Sequence, residues 1–270
     1  MRVSGWGIGL MTVWQATILG AIAGFTIYLG LPAARLRQKA AGPQSLLTAL
    51  ALGVLLFIVW DILSKALEPI QAAMKEGTKS GHWGPFGLLV SMLVAGLIVG
   101  LVGLVMFDAA AVRRSAGART PAQLALMIAT GLGLHNFSEG LAIGQGAAAG
   151  AIGFAVILVA GFGLHNITEG FAVAAPLAAA GERPSWSFLG LAGLIGGGPT
   201  FLGTLVGYRV ASLPTFVLFL ALAAGALFYI IGEMFAAGRR FRAPVWAAWG
   251  LAAGFLIAYG TDLLLTAGGV

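Results

Sequence analysis

The chain has 270 residues, of which 59% are hydrophobic and only 9% charged, with a formal net charge of +6 and a mean hydropathy of +0.97. Soluble domains carry about 25% charged residues, so this composition excludes a soluble globular fold and puts most of the length in lipid. There is no cysteine, which excludes disulfides and thiolate ligands for soft metals.

A helix needs about 20 apolar residues to cross the hydrocarbon core. Gly, Pro and charged punctuation marks eight such segments, near 7–31, 45–67, 85–111, 121–147, 150–180, 186–208, 213–237 and 243–267. The runs are continuous rather than alternating, which argues against a β-barrel. The expected fold class is all-α integral membrane, with eight transmembrane helices forming a single domain over residues 1–270. The 42 glycines are read as close helix packing.

The first segment reads as a retained helix, because Ala21–Gly24 is a poor cleavage site and basic residues follow the run. With the N-terminus outside, one side of the membrane holds Arg35, Arg37, Lys39, Arg113, Arg114, Arg119, Arg183, Arg239, Arg240 and Arg242. The other side holds Arg2, Lys65, Lys75, Lys79 and Arg209, a division of 10 against 5. The positive-inside rule accounts for this basic excess without a nucleic acid partner. It places both termini outside the cytoplasm; the expected location is a plasma (inner) membrane, with the lipid bilayer and a second copy of the chain, as a homodimer, among the candidate partners.

In the second segment, Ala49 to Asp61 aligns with Ala221 to Glu233 in the seventh. Alanine, leucine, alanine, glycine, leucine and a terminal acid recur in register. The two segments run in opposite directions, as expected for an inverted repeat relating helices 1–3 to 6–8 around helices 4 and 5. Asp61 and Glu233 are then stations on a cation pathway, or acids that reach interfacial water or a basic neighbour near a helix end. The polar stretch Glu68 to Gly84, with Lys75, Glu76, Lys79 and His82, is expected to be a loop, and His82 a solvated histidine. Asp262, near the C-terminus, is assigned nothing.

The fourth and fifth segments carry near copies of one motif, Gly131-Leu-Gly-Leu-His-Asn-Phe-Ser-Glu-Gly140 and Gly161-Phe-Gly-Leu-His-Asn-Ile-Thr-Glu-Gly170. They hold two of the three histidines and two of the nine acidic residues, which a bilayer makes expensive. His and Glu four apart share a helix face, so His135, Glu139, His165 and Glu169 can converge. Neutral imidazole and carboxylate suit zinc and other first-row divalent ions. Polar glue between helices is the competing explanation, but such bonds contribute only about 0.6–2 kcal/mol each. Asn136 and Asn166, beside the histidines, are candidates for a secondary metal position. Ser138 and Thr168 are expected to bond back to the carbonyl four residues earlier and bend their helices.

The paired motif resembles helices 4 and 5 of the ZIP (Zrt/Irt-like) divalent-metal transporters, whose pattern is His-Asn-x-Pro-Glu-Gly. The resemblance extends to Ala172, Val173, Ala174 and Pro176, and to the run Ala221–Gly225 followed by Ile231-Gly-Glu233. It implies transport of a divalent metal into the cytoplasm, zinc first, with iron, manganese, cadmium and cobalt compatible with the same ligands. It also implies a bundle of helices 1, 4, 5 and 6 moving against helices 2, 3, 7 and 8. Ser138 and Thr168 replace the family's prolines. In helix 6 the family often has Gly-Leu-x-Glu-Pro, whereas Gly193-Leu-Ile-Gly-Gly-Gly-Pro199 sets Gly198 at the acid. The long histidine-rich inner loop of many relatives is missing. No phosphate-binding Gly-rich Lys-Ser/Thr loop is present, so primary pumping is not encoded. An intramembrane metalloenzyme would need a further general base, and no spare carboxylate is obvious. The expectation is a transporter, not an enzyme. A metal-stabilised protein without transport is the remaining alternative.

Overall fold

The computed structural model describes residues 11–35, 40–114, 120–148, 152–210 and 212–267. Arg2, Arg37, Lys39 and Arg119 lie outside these residues, as do the side chains of Arg113 and Arg114. The regular elements among the described residues are all helices: α1 (Val13–Phe25), α2 (Ile27–Gly30), α3 (Ala41–Ser80), α4 (Gly84–Arg114), α5 (Pro121–Ala148), α6 (Ile152–Ala180), α7 (Trp186–Arg209), α8 (Leu213–Gly238) and α9 (Pro244–Ala267). Short 3-10 turns follow α2 and α8. Five helical stretches are long and apolar enough to cross a membrane: Val13–Arg35, Ala41–Ser80, Gly84–Ala110, Trp186–Arg209 and Leu213–Phe241. In α5, by contrast, the polar motif is buried inside the bundle, where lipid does not demand an apolar face.

Local chemistry sets the helix ends. Thr12 and Gln15 form a reciprocal cap on α1, and Thr120 and Gln123 exchange the same pair of bonds at the start of α5. Ser185 caps α7 through Phe188 N. Gly81, at φ 76°, ends α3 in the left-handed conformation that glycine tolerates.

One expectation fails in α3. The stretch expected to be a loop from Glu68 is helical to Ser80, and only Gly81–Trp83 separates α3 from α4. Gln71, Ala72, Ala73, Met74, Lys75 and Glu76 are good helix formers, so polarity there marks departure from lipid rather than loss of helix. Pro69 is accommodated within the helix. His82 lies in the short turn and is exposed, as expected.

The helices pack through glycines, whose missing Cβ lets two backbones approach. On α5, a Cβ at Gly140 would strike Thr200 O of α7, and one at Gly144 would strike Thr204 O. On α7, Gly203 faces Phe137 O of α5. Gly24 of α1 and Gly197 of α7 each face the other's carbonyl. Gly30 of α2 and Gly170 of α6 make a similar pair, against Ile167 O and Ile27 O. Gly53 and Gly254 join α3 to α9, while Gly100 and Gly225 join α4 to α8. Tyr229 of α8 also donates to the buried carboxylate of Asp108 on α4, at 2.7 Å. The principal core runs through Phe57, Ile58, Ile62, Ile128, Leu132, Leu177 and Leu227.

Basic residues gather at one end of the bundle. Arg35 Nη1 donates to Pro184 O at 2.7 Å and stacks over Trp186 at 4.6 Å. Ser45 Oγ donates to Ala243 O at 3.2 Å, and Arg239 and Arg242 line a cavity of about 350 Å³ between α3, α8 and α9.

Candidate metal centre

The two motifs meet at the middle of the bundle. His135 and Glu139 lie one turn apart on α5, and His165 and Glu169 on α6; all four are almost fully buried. One ligand atom from each of His135, His165 and Glu169 falls within 4.8 Å of the others. Glu169 Oε1 is 3.8 Å from His135 Nε2 and 3.7 Å from His165 Nε2. Glu139 Oε1 reaches His135 Nε2 at 3.3 Å, so the fourth expected residue adjoins the cluster. Tetrahedral ligand atoms about 2.0–2.1 Å from zinc stand roughly 3.3 Å apart, so seating an ion would draw Glu169 Oε1 a few tenths of an ångström closer to each imidazole.

The hydrogen bonding favours ligation over glue. Both ring nitrogens of His135, Nε2 of His165, Oε1 of Glu169 and Oε2 of Glu139 are buried with no hydrogen-bond partner among the described residues. Leaving polar atoms unsatisfied inside a protein is costly, and helix-gluing pairs would satisfy them. Three of these atoms point at one place, and a divalent cation satisfies lone pairs that a hydrogen bond does not.

Asn136 and Asn166 contribute differently from each other. Asn136 Nδ2 donates to Glu169 Oε2 at 2.7 Å and to Gly196 O on α7 at 3.0 Å. This leaves Glu169 Oε1 to face the histidines, the positioning role of a group that orients a metal ligand. Asn166 Nδ2 donates to Ala23 O on α1 at 3.0 Å. That carbonyl also accepts from Thr26 Oγ1 at 2.6 Å, where α1 breaks before α2. The free Oδ1 atoms of both asparagines are buried without a partner, so each has a single oxygen to offer a secondary ion. Replacing Asn136 by leucine is expected to release Glu169 Oε2. Zinc affinity should fall about 10- to 100-fold, read by calorimetry on the detergent-solubilised protein.

Ser138 bonds back four residues to Leu134 O at a long 3.4 Å, as expected, but Thr168 bonds three back, to His165 O at 2.6 Å. Both helices continue unbroken through these residues.

Gly198 needs correction. A Cβ there would meet only Leu194, at 3.2 Å, and Leu194 is 56% exposed. Gly198 therefore faces away from the cluster, and a glutamate there would not add a ligand. The α7 atoms that do face it include Gly196 O, through Asn136. In a run of three glycines no side chain marks the phase, and an error of one residue rotates a position by about 100°.

Asp61 and Glu233 are not brought together. Phe57 packs its ring 6.4 Å from His165, and Asp61 lies one turn along α3 from it. Asp61 is buried and carries a 2.7 Å ion pair with Lys65 on its own helix. Glu233 lines a cavity of about 300 Å³ with Thr48, Thr120, Pro176 and Arg240. Thr48 precedes Asp61 by about 20 Å along α3 at helical rise, so the two acids flank the level of the histidines.

Sequence reasoning missed the carbonyls of Ala23 and Gly196, because backbone acceptors leave no mark in a sequence. For Asp61 the alternative of a basic neighbour is the one observed, and the unnamed partner is Lys65, at the i, i+4 spacing. No family model matches the chain, and no curated protein matches it.

Proposed function

We propose that this chain is a carrier of divalent metal ions of the ZIP type, moving zinc into the cytoplasm through His135, Glu139, His165 and Glu169. The observation that carries the reading is the buried convergence of imidazole and carboxylate atoms without hydrogen-bond partners, at the middle of an apolar helical bundle. Two carboxylates and two neutral imidazoles match one divalent ion in charge. A second ion would add +2 to a site of low polarity, which is heavily penalised, so one tight position is expected. Iron, manganese, cadmium and cobalt fit the same ligands. The chain passes the ion on rather than using it for hydrolysis.

Eight spans related by an inverted repeat are part of this reading, and the packing supports them. Asn136 of α5 donates to Gly196 O on α7, while its counterpart Asn166 of α6 donates to Ala23 O on α1. Gly140 meets Thr200 O, while Gly170 meets Ile27 O; Gly203 meets Phe137 O, while Gly30 meets Ile167 O. One constant spacing relates Ala23 to Gly196, Ile27 to Thr200 and Gly30 to Gly203. Gly24 and Gly197, related by that same spacing, touch each other as residues on a two-fold axis do. Repeats of this kind place transport sites near the membrane midplane. The basic end holding Arg35, Arg239 and Arg242 is assigned to the cytoplasm, which puts both termini on the other side and Glu233 on the way in.

Uptake into proteoliposomes tests the proposal. Zinc should accumulate with the wild-type protein and not in protein-free vesicles or with all four ligands changed to alanine. Imidazole must be neutral to bind a metal, so zinc affinity should weaken as the pH is lowered through the range where histidine protonates. Unaltered flux in the fourfold alanine variant would sink the assignment.

A further inference from the structure

We propose that Lys65 is a tethered counter-ion at the Asp61 mouth of the metal site, an ammonium that an arriving divalent cation displaces. This rests on the carrier reading above.

Lys65 Nζ lies 2.7 Å from Asp61 Oδ2, with side-chain exposures of 37% and 8%. The lysine therefore covers a carboxylate that is otherwise enclosed. The same Nζ stands 5.7 Å from the centre of the Phe162 ring, and Phe162 precedes His165 by about one turn of α6. On α3, Asp61 follows Phe57, the residue packed against His165, by one turn. The ammonium also interacts electrostatically with Glu139 and Asp262. It thus occupies the approach to the histidines from the Asp61 side, within the field of a residue assigned to the ion.

A purely architectural role explains this poorly. The ion pair itself joins two residues of one helix, and across helices the ammonium meets the ring of Phe162 at a distant 5.7 Å. In a cation pathway the charges matter more. Asp61 alone would attract metal, Lys65 alone would repel it, and the pair sets the mouth near neutrality.

The test is zinc uptake by proteoliposomes, with equilibrium zinc affinity measured by calorimetry on the same preparations. Lys65→Met and the polar Lys65→Gln should lower KM about fivefold, as a partly screened charge one to two turns away would do. Asp61→Asn should raise KM by a similar factor, the double variant should lie near wild type, and Lys65→Arg should match wild type. Affinities should follow the same order. A merely structural pair would move Lys65→Met and Asp61→Asn in the same direction. That outcome, or an unchanged KM in both lysine variants, overturns the counter-ion while leaving the carrier reading intact. A wild-type protein that neither binds nor carries zinc overturns the carrier reading, and the counter-ion with it.

Discussion

Changing His165 or Glu169 to alanine is expected to lower zinc affinity by more than about 100-fold, with the protein still folding and eluting as the wild type does. Even groups one shell removed from a metal change affinity by about 10- to 100-fold, and in the proposed site these two residues supply ligand atoms themselves. Glu169 Oε1 is the atom within 4 Å of both imidazoles. Its loss removes a bond and half of the compensating negative charge, so Glu169→Ala should be the more damaging single change. Glu169→Gln keeps the shape and an acceptor oxygen but not the charge, and should lie between. Glu139 touches one histidine only, and Glu139→Ala should cost less than Glu169→Ala. Calorimetric titration with zinc checks the order. Equal losses at all four positions would indicate a more symmetric site than the geometry describes.

Gly170→Leu is expected to abolish folding, and Gly170→Ala to destabilise by about 3 kcal/mol or more. Overpacking a filled interior costs typically 1–3 kcal/mol, occasionally more, and here the obstacle is backbone. A Cβ on Gly170 would strike Ile27 O and lie 2.9 Å from Gly30 Cα. Unlike a side chain, these atoms cannot rotate aside, so α6 must separate from α2. Because Gly170 adjoins Glu169, the separation should also weaken zinc binding in whatever fraction folds. Gly190, where an added methyl would meet nothing within 4 Å, is the control: Gly190→Ala should be nearly neutral. Thermal melting in detergent, followed by circular dichroism, distinguishes the two.

The helical class and the paired motif were legible because lipid imposes a severe rule on sequence. An ionisable residue in an apolar run stands out, and a motif repeated thirty positions later stands out twice. Orientation on a glycine-rich helix was not legible. Gly196, Gly197 and Gly198 look alike in sequence, yet the first presents a carbonyl to Asn136, the second packs on Gly24 and the third faces outward beside Leu194. The end of α3 is hidden for a different reason. Glu68, Lys75, Glu76 and Lys79 mark contact with water, and a helix can continue into water when its residues favour the conformation. Asp61 stands out in the sequence, but its partner is assigned only to a membrane side, because a count of charges along loops says nothing about which charges touch.

The 40 residues of α3 make a rod about 60 Å long, twice the thickness of a bilayer's hydrocarbon core, about 30 Å. Were α3 to pivot at Phe57, against His165, that contact would be the fulcrum and Ser80 the tip of an arm about 35 Å long. A tilt of about 5° at the fulcrum sweeps that tip through roughly 3 Å, while atoms one turn from the pivot move by about half an ångström. The protein thus carries its own pointer. Displacements beside His165 too small for most solution methods would then be magnified at an accessible, water-facing end, where a spin label or fluorophore can report them. Pro69, which removes one hydrogen bond from the rod, is the joint that would blunt the reading.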